Sequence, residues 1–303
     1  MNIKTQGFLL ALLSSCSFGL MGLFSVPCQK AGMDTLSIII YRYAIGSAAM
    51  LLMLLIMRKD LRISLSDFWR LQLLALFNNL TAFALIKGFE LMPSGAATTI
   101  QFSYPVFTCI IMAIFFRERI TARTVIVILL AFTGVACISG IGGDMSKYPN
   151  FIAGMLLELL AGLCYATYLV LVPNLKVSRM PGSKLTFYIF LCSTMQLIII
   201  APLQGGIAPV PSLKTGIDLA LLGLIPTVVS NYTVVLALKY IGSTLTAILG
   251  AVEPLTAMTV GVIVFSDPFT PTIAFGAVAI IVAVILLVLK DNSTQKSTAE
   301  QPD

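Results

Sequence analysis

The chain has 303 residues, of which 58% are hydrophobic and only 11% charged, against roughly 25% charged in an ordinary soluble domain. So few charges cannot cover a soluble protein of this size, whereas a bilayer is itself an apolar solvent. Histidine is absent from the sequence, which excludes histidine triads, histidine-containing zinc motifs and haem ligation by histidine. The net charge of +6 forms no continuous basic patch, so we expect no nucleic-acid partner, and no motif indicates a cofactor or a metal.

Ten apolar segments follow one another along the chain, each about as long as the 20 residues that cross a bilayer. The connections between them are short, which leaves no room for a soluble domain. The sequence therefore predicts an all-α membrane protein whose ten transmembrane helices lie at residues 7–27, 35–57, 69–91, 94–116, 121–140, 151–173, 184–203, 216–238, 242–265 and 270–289.

The basic residues between these segments indicate an orientation. With the N-terminus in the cytoplasm, most lysine and arginine residues fall on the cytoplasmic side, and the outer side keeps only Lys30, Lys87, Lys147 and Lys214. Such a bias is typical of cytoplasmic loops. We therefore expect a multi-pass protein of the cell inner membrane with both termini in the cytoplasm.

The chain also contains an internal repeat. Residues 7–33 align without a gap with residues 154–180, and further along Pro105 aligns with Pro254 inside the predicted fourth and ninth helices. The repeat predicts two five-helix halves and a disordered cytoplasmic tail, at residues 1–146, 147–290 and 291–303.

An odd number of helices in each half means that the halves insert with opposite orientations. Inverted repeats of this kind are typical of transporters, in which the substrate site lies at the repeat interface near the bilayer midplane.

Three short motifs carry a resemblance to a known family: Ser17-Phe18-Gly19, Tyr41-Arg42-Tyr43, and mid-helix Pro105 followed by the stretch Phe116 to Thr121. Over roughly residues 7–290 the sequence resembles the EamA-like branch of the drug/metabolite transporter superfamily. The resemblance implies ten helices, cytoplasmic termini, and export or exchange of small metabolites such as amino acids. The sequence departs from the family pattern at Phe18, where tryptophan is common, and at Ser266-Asp267, where Gly-Glu is more frequent.

Three charged residues lie inside predicted helices, where each costs about 2.5–3.5 kcal/mol on insertion scales. Arg42 is expected to have a gating or structural role, either by reaching the outer surface or by pairing with a carboxylate. Glu158 lies at a similar depth, so the two are expected to pair, although Glu158 equally suits substrate binding.

Glu253 lies near the middle of the ninth helix, directly before Pro254. Because proline donates no backbone hydrogen bond, the carbonyl of Gly250 is expected to lose its helical partner. The repeat puts Tyr104 at the equivalent position, so the acid is an asymmetric addition. We expect Glu253 either to bind the amino group of a substrate or to carry a proton in exchange for it.

Aromatic and polar faces recur on several helices and predict a mixed cavity, with Pro105 and Pro254 as gating or structural residues. Any one such residue also suits a simple hydrogen bond between helices. Those expected to bind substrate are Phe18, Asn79, Phe83, Gln101, Tyr104, Glu158, Tyr165, Tyr168, Asn231, Tyr232 and Glu253.

The sequence thus favours a secondary transporter that moves a small molecule by alternating access, with the bilayer and protons as further partners. The alternatives are a non-transporting membrane receptor or assembly protein, and an intramembrane enzyme. An enzyme needs a convergent catalytic set, and the chain has neither an Asp-rich metal motif nor Gly-x-Ser-x-Gly.

The orientation gives a first prediction. Reporter fusions at Asp303 and within residues 142–147 should report opposite sides of the membrane, because five predicted helices separate them. Equal signals would contradict the ten-helix topology.

Overall fold

The computed structural model describes residues 3–91, 97, 100–118, 120–138, 150–264 and 270–299, without the side chains of 261 and 287–299. The predicted boundary at residues 146–147 lies outside this part of the chain. The long elements are α1 Ile3–Gly19, α2 Met21–Lys30, α3 Thr35–Ile56, α4 Leu65–Leu91, α5 Tyr104–Phe116, α6 Ala122–Ile138, α7 Phe151–Asn174, α8 Gly182–Ile200, α9 Leu213–Leu222, a π-helix Gly223–Val229, α10 Ser230–Leu249, α11 Val252–Val264 and α12 Pro271–Ala299. Two short 3-10 helices are Lys176–Arg179 and Ala201–Gln204.

Among the described residues, six continuous helical stretches are long and apolar enough to cross a membrane, and four shorter apolar helices accompany them. The shorter ones lie within the ranges predicted for the fourth, fifth, ninth and tenth helices. Large apolar side chains such as Leu52, Phe115 and Ile199 are exposed on the outside of the bundle, where lipid tails solvate them. The multi-pass membrane class is thereby confirmed.

Local sequence explains several helix ends. Asp34 caps α3 by accepting a hydrogen bond from Ser37 N at 2.8 Å, and Ser212 caps α9 in the same way. Inside α10, Gly242 has a φ of +78° and interrupts the helical geometry, a conformation that glycine adopts without steric cost. This turn lies where the predicted eighth and ninth helices meet.

The end of the chain differs from expectation. α12 continues to Ala299, well into the segment predicted to be a disordered tail. Because propagation of a formed helix costs little, helical hydrogen bonding extends beyond the apolar part.

Helices that are distant in sequence pack together. The most extensive contacts join α1 to α10, α4 to α7, α6 to α12 and α3 to α8. α1 also packs on α11, and α7 packs on α5. The first and second parts of the chain therefore interleave and share one apolar core.

The segment that follows α8 is hydrogen-bonded to the start of α3. Ala208 N donates to Ser37 Oγ at 2.8 Å, and Tyr41 OH donates to Ala208 O at 3.0 Å. Both segments belong to the side predicted to face outward.

The start of α8 is hydrogen-bonded to the connection between α3 and α4. Lys184 Nζ donates to Arg62 O at 2.6 Å and lies 3.6 Å from Asp60 Oδ2, while Tyr188 OH donates to Leu61 O. The backbone N–H of Arg62, and to a lesser extent Lys184, lower the pKa of the exposed Asp60 carboxyl below its ordinary value. This anchor joins segments predicted to face the cytoplasm.

The anchor gives a second prediction. Lys184→Met should destabilise the protein by about 1.5–3 kcal/mol, the range for a hydrogen bond from a charged donor, and so lower the thermal midpoint in detergent. The exposed Lys59 provides the matched control, Lys59→Met, which should leave the midpoint unchanged. Equal midpoints for both variants would show that the anchor contributes nothing.

Candidate functional site

Two helices are broken at matching places. Before α5 the chain turns at Phe102 and Ser103, with Ser103 N donating to Ile100 O at 3.0 Å. Before α11 it turns at Gly250 and Ala251, with Ala251 N donating to Ile248 O at 3.1 Å. The tighter i to i+3 hydrogen bonds satisfy backbone groups that a broken helix would otherwise leave unpaired.

The two prolines lie in the first turn of the helices that follow these breaks, where a missing N–H is best tolerated. The Gly250 carbonyl has no i+4 donor, as expected, because residue 254 is proline. It is nevertheless hydrogen-bonded, since Glu253 N donates to it at 2.9 Å. A shorter i to i+3 hydrogen bond thus replaces the i to i+4 bond that proline cannot make.

The two breaks face each other. A Cβ atom on Gly250 would lie 1.5 Å from Tyr104 Oη and 2.7 Å from its Cζ, so the tyrosine ring packs directly on the glycine backbone. Glycine is required here by close approach. Tyr104 thus occupies the centre of the bundle, between the two parts of the chain.

A small cavity lies beside this contact, with room for about one water molecule unless side chains move. Helices α1, α5, α7, α10 and α11 contribute to it. The lining residues are Ala11, Ser14, Ser15, Phe18, Tyr104, Tyr165, Leu169, Val234, Thr246, Gly250 and Glu253.

Aromatic rings form one wall of the cavity. Tyr165 is at its centre, stacked on Phe18 with ring centroids 6.4 Å apart and packed edge-to-face on Tyr104 at 4.8 Å. Behind it Tyr168 stacks at 6.2 Å. Aromatic faces of this kind attract organic cations as well as apolar groups.

Glu253 supplies the acidic side chain of the cavity. It is half-buried in the first turn of α11, where the helix dipole favours an acid. Its carboxylate lines the cavity together with the two tyrosine rings, and none of the hydrogen bonds among the described residues ends on it. It therefore remains available to a ligand that carries a positive group.

Arg42 lies behind the aromatic wall and is fully buried. Its guanidinium carbon is 5.8 Å from the Phe18 ring centroid and 5.1 Å from that of Tyr43. Nε donates to Thr227 Oγ1 at 2.6 Å, within the π-helix, and Nη1 contacts Met21 Sδ at 3.4 Å. Its charge is thus stabilised by a hydroxyl and by aromatic faces.

The expected pair of Arg42 with Glu158 is wrong. No ion pair among the described residues involves Arg42, and both Glu158 oxygens lack a hydrogen-bond partner there. Glu158 packs on α4, whereas Arg42 points to the π-helix. The two residues were predicted to lie at a similar depth in the membrane, but depth alone does not determine which neighbouring helix a side chain faces.

The structure brings together only part of the predicted binding set. Phe18, Tyr104, Tyr165 and Glu253 line the cavity. Seven other residues of the predicted set lie outside this lining: Asn79, Phe83, Gln101, Glu158, Tyr168, Asn231 and Tyr232.

Two amides have other partners. Asn79 Nδ2 donates to Ser193 O at 3.2 Å and to Gln196 Oε1 at 3.0 Å on α8. Asn231 Nδ2 donates to Thr227 O one turn earlier. These side chains join helices or stabilise the π-helix, as polar residues in membrane bundles often do.

Ser14 and Ser15 line the cavity but were not predicted. Ser14 Oγ donates to Ser230 O at 2.9 Å, and Ser15 Oγ contacts Leu249 O at 3.2 Å. Two adjacent serines in an otherwise apolar helix are the sequence feature that could have identified them as cavity residues. Among the described residues, no group of three acidic or cysteine side chains is arranged to hold a metal ion.

The contact between the breaks gives a third prediction. Gly250→Ala should displace the Tyr104 ring and cost about 1–3 kcal/mol of stability by overpacking, measured by thermal unfolding. Gly22→Ala is the control, since a Cβ atom there would meet nothing within 4 Å. If both variants unfold alike, the close approach at Gly250 carries no energetic weight.

Comparison with known proteins agrees with this architecture. A protein of Archaeoglobus fulgidus described as an uncharacterized transporter is 26% identical over 271 residues, covering 88% of this chain and 92% of the relative. A solved crystal structure covers 95% of this chain and 98% of its own, with a TM-score of 0.79 and 18% identity, a likeness in fold. The model of the EamA-like transporter family matches residues 5–140 and again residues 152–289. The chain belongs to the EamA-like transporter family.

Proposed function

We propose that this protein is a secondary transporter that exports a small metabolite across the inner membrane by alternating access. The observation that supports this proposal is the cavity at the two helix breaks, where an aromatic wall lies beside the carboxylate of Glu253, on which no hydrogen bond from the described residues ends. Discontinuous helices at corresponding places in two halves are the arrangement that secondary transporters use to build substrate sites.

The packing supports two inverted five-helix repeats. If the halves correspond, α1 against α10 is the counterpart of α7 against α4, and both pairs pack extensively. Likewise α3 against α8 and α6 against α12 pair equivalent helices across a pseudo-two-fold axis. The two matches of one family model support the same division.

The ten-helix count follows if broken elements are joined. α9, the π-helix and α10 as far as Gly242 form the eighth span, and the rest of α10 with α11 forms the ninth. The hydrogen bonds of Lys184 and Ala208 support this count, because each joins segments that the ten-helix topology assigns to the same side of the membrane.

Alternating access requires movement at the cavity, since the space in this conformation is too small for a metabolite. The breaks beside Pro105 and Pro254 are the points at which α5 and α11 tilt with least loss of hydrogen bonding, because each break is already held by shorter i to i+3 bonds.

Glu253 is proposed to bind the positive group of the substrate, while Tyr104 and Tyr165 pack on the remainder. A fixed anion beside aromatic faces suits an amino group, and amino acids or related amines fit this chemistry. The serine hydroxyls of α1 are already used by backbone carbonyls, so they shape the cavity.

The fourth prediction tests this function. Purified protein in proteoliposomes should exchange at least one compound from a panel of amino acids, nucleosides and organic cations. Glu253→Gln should reduce that exchange about 10- to 100-fold at every pH, the loss expected for one charge-assisted hydrogen bond. Glu90→Gln, which changes an exposed carboxylate, should leave exchange unchanged.

Other outcomes are equally informative. If Glu253→Gln still binds the substrate but its transport no longer depends on pH, the carboxylate carries a proton and does not bind the amino group of the substrate. Absence of any flux, with ligand binding preserved, would favour a receptor.

A further inference from the structure

Glu158 is a buried acid that the central cavity does not use. It is the eighth residue of α7, its exposed fraction is 0%, and neither carboxyl oxygen has a hydrogen-bond partner among the described residues. Since buried polar groups are almost always paired, an orphaned carboxyl inside a membrane bundle requires an explanation.

The carboxyl lies flat against the backbone of α4. A Cβ atom on Gly88 would be 1.8 Å from Glu158 Oε1 and 2.8 Å from its Cδ. Only glycine permits this contact. The α4 backbone therefore covers the acid and keeps water from it as long as α4 and α7 stay packed.

Among the described residues, no charge compensates the acid. α4, α5, α10 and the 3-10 helix Lys176–Arg179 pack on α7. Lys87 and Glu90, the nearest ionisable groups to Gly88 along α4, pair with each other. No hydrogen bond or ion pair among the described residues joins Glu158 to an ionisable side chain of these neighbouring elements. Those side chains are Asp67, Arg70, Lys87, Glu90, Tyr104, Cys109, Lys176, Arg179, Tyr232, Lys239 and Tyr240.

An ionised carboxylate in this place would lose its hydration and gain no partner. The neutral acid is the form that fits the packed conformation. Ionisation becomes favourable once α4 and α7 separate at Gly88 and water reaches the oxygens.

We propose that Glu158 is a proton-binding site outside the central cavity, protonated while α4 packs on α7 and deprotonated when the two helices part. In the step itself the O–H bond of the acid breaks, its electron pair stays on the carboxylate, and the proton passes to water. Glu158 lies about 10 Å from the start of α7, which is the end predicted to face outward.

The site is connected to the cavity through α7. Tyr165 follows Glu158 by seven residues, so the two side chains lie on one face of the helix, about 10 Å apart along its axis. Separation of α7 from α4 therefore displaces the central ring of the aromatic wall. Coupling of the proton to substrate movement rests on the proposed function, whereas proton binding itself does not.

Thermal unfolding in detergent between about pH 5 and pH 9 tests proton binding without transport. The native state holds the proton and the unfolded state releases it, so raising the pH should weaken folding by up to tenfold in the folding constant per pH unit. Glu158→Gln keeps the shape without a titratable proton and should lose this component. Asp218→Asn on α9, which is not among the elements packed on α7, should keep it.

Parallel profiles for wild type and Glu158→Gln would overturn the proposal. If Glu158→Gln does not fold, infrared spectroscopy replaces it: the wild type at neutral pH should show the carbonyl band of a protonated carboxyl, and Glu158→Asp should shift that band. A band that does not move with this change would equally refute the site.

Two flux assays separate this inference from the proposed function. Equilibrium exchange should persist in Glu158→Gln, while accumulation driven by a pH gradient should be lost. If the wild type exchanges no compound, the proposed function fails, and the unfolding profiles still decide whether Glu158 binds a proton. If accumulation in Glu158→Gln equals that of the wild type, coupling through Glu158 is wrong.

Discussion

The rest of the structure depends on how a membrane protein satisfies the backbone of a broken helix. In lipid, unpaired carbonyl and amide groups have no water to bind, so a break is tolerated only where protein covers it. Here each break is covered by the first helix of the opposite part of the chain. Ser15 Oγ on α1 lies 3.2 Å from Leu249 O and shares its proton with the nearer Ala11 O at 2.9 Å. On α7 a Cβ atom at Gly162 would lie 2.9 Å from Gln101 O. The interleaved packing follows from this requirement, and the cavity lies between the two covered breaks.

The three ionisable side chains inside the bundle have different surroundings. Arg42 is held by the Thr227 hydroxyl and two aromatic faces, because a guanidinium is weakly hydrated and stacks well. Glu253 lines the cavity, where we propose that it binds the substrate. Glu158 has no hydrogen-bonding or charged partner among the described residues, and α4 shields it. No ion pair among the described residues therefore involves any of the three.

Much of the fold could be predicted from sequence, because apolar length and the distribution of lysine and arginine report directly on the bilayer. The aromatic residues of the cavity could also be predicted, since Phe18 and Tyr165 align in the repeat. Helical periodicity, however, assigns a residue to a face without identifying the neighbour of that face. Asn79 was therefore placed in the cavity although it bonds to α8. The π-helix that receives Arg42 has no sequence signal beyond Pro226, so its partner could not be inferred.

One helix, α7, contacts the buried acid site, one of the helix breaks and the aromatic wall of the cavity. Glu158, Gly162 and Tyr165 are spaced by four and three residues and so share one face. They meet, in order, the α4 backbone, the break before α5 and the aromatic wall. Because a packed helix moves as a nearly rigid rod, a displacement that exposes the first also shifts the other two. A ligand moves such an equilibrium only by the difference in its affinity for the two states. A proton with different affinity for packed and separated α7 therefore biases the cavity by the same free energy, and the substrate biases the acid in return.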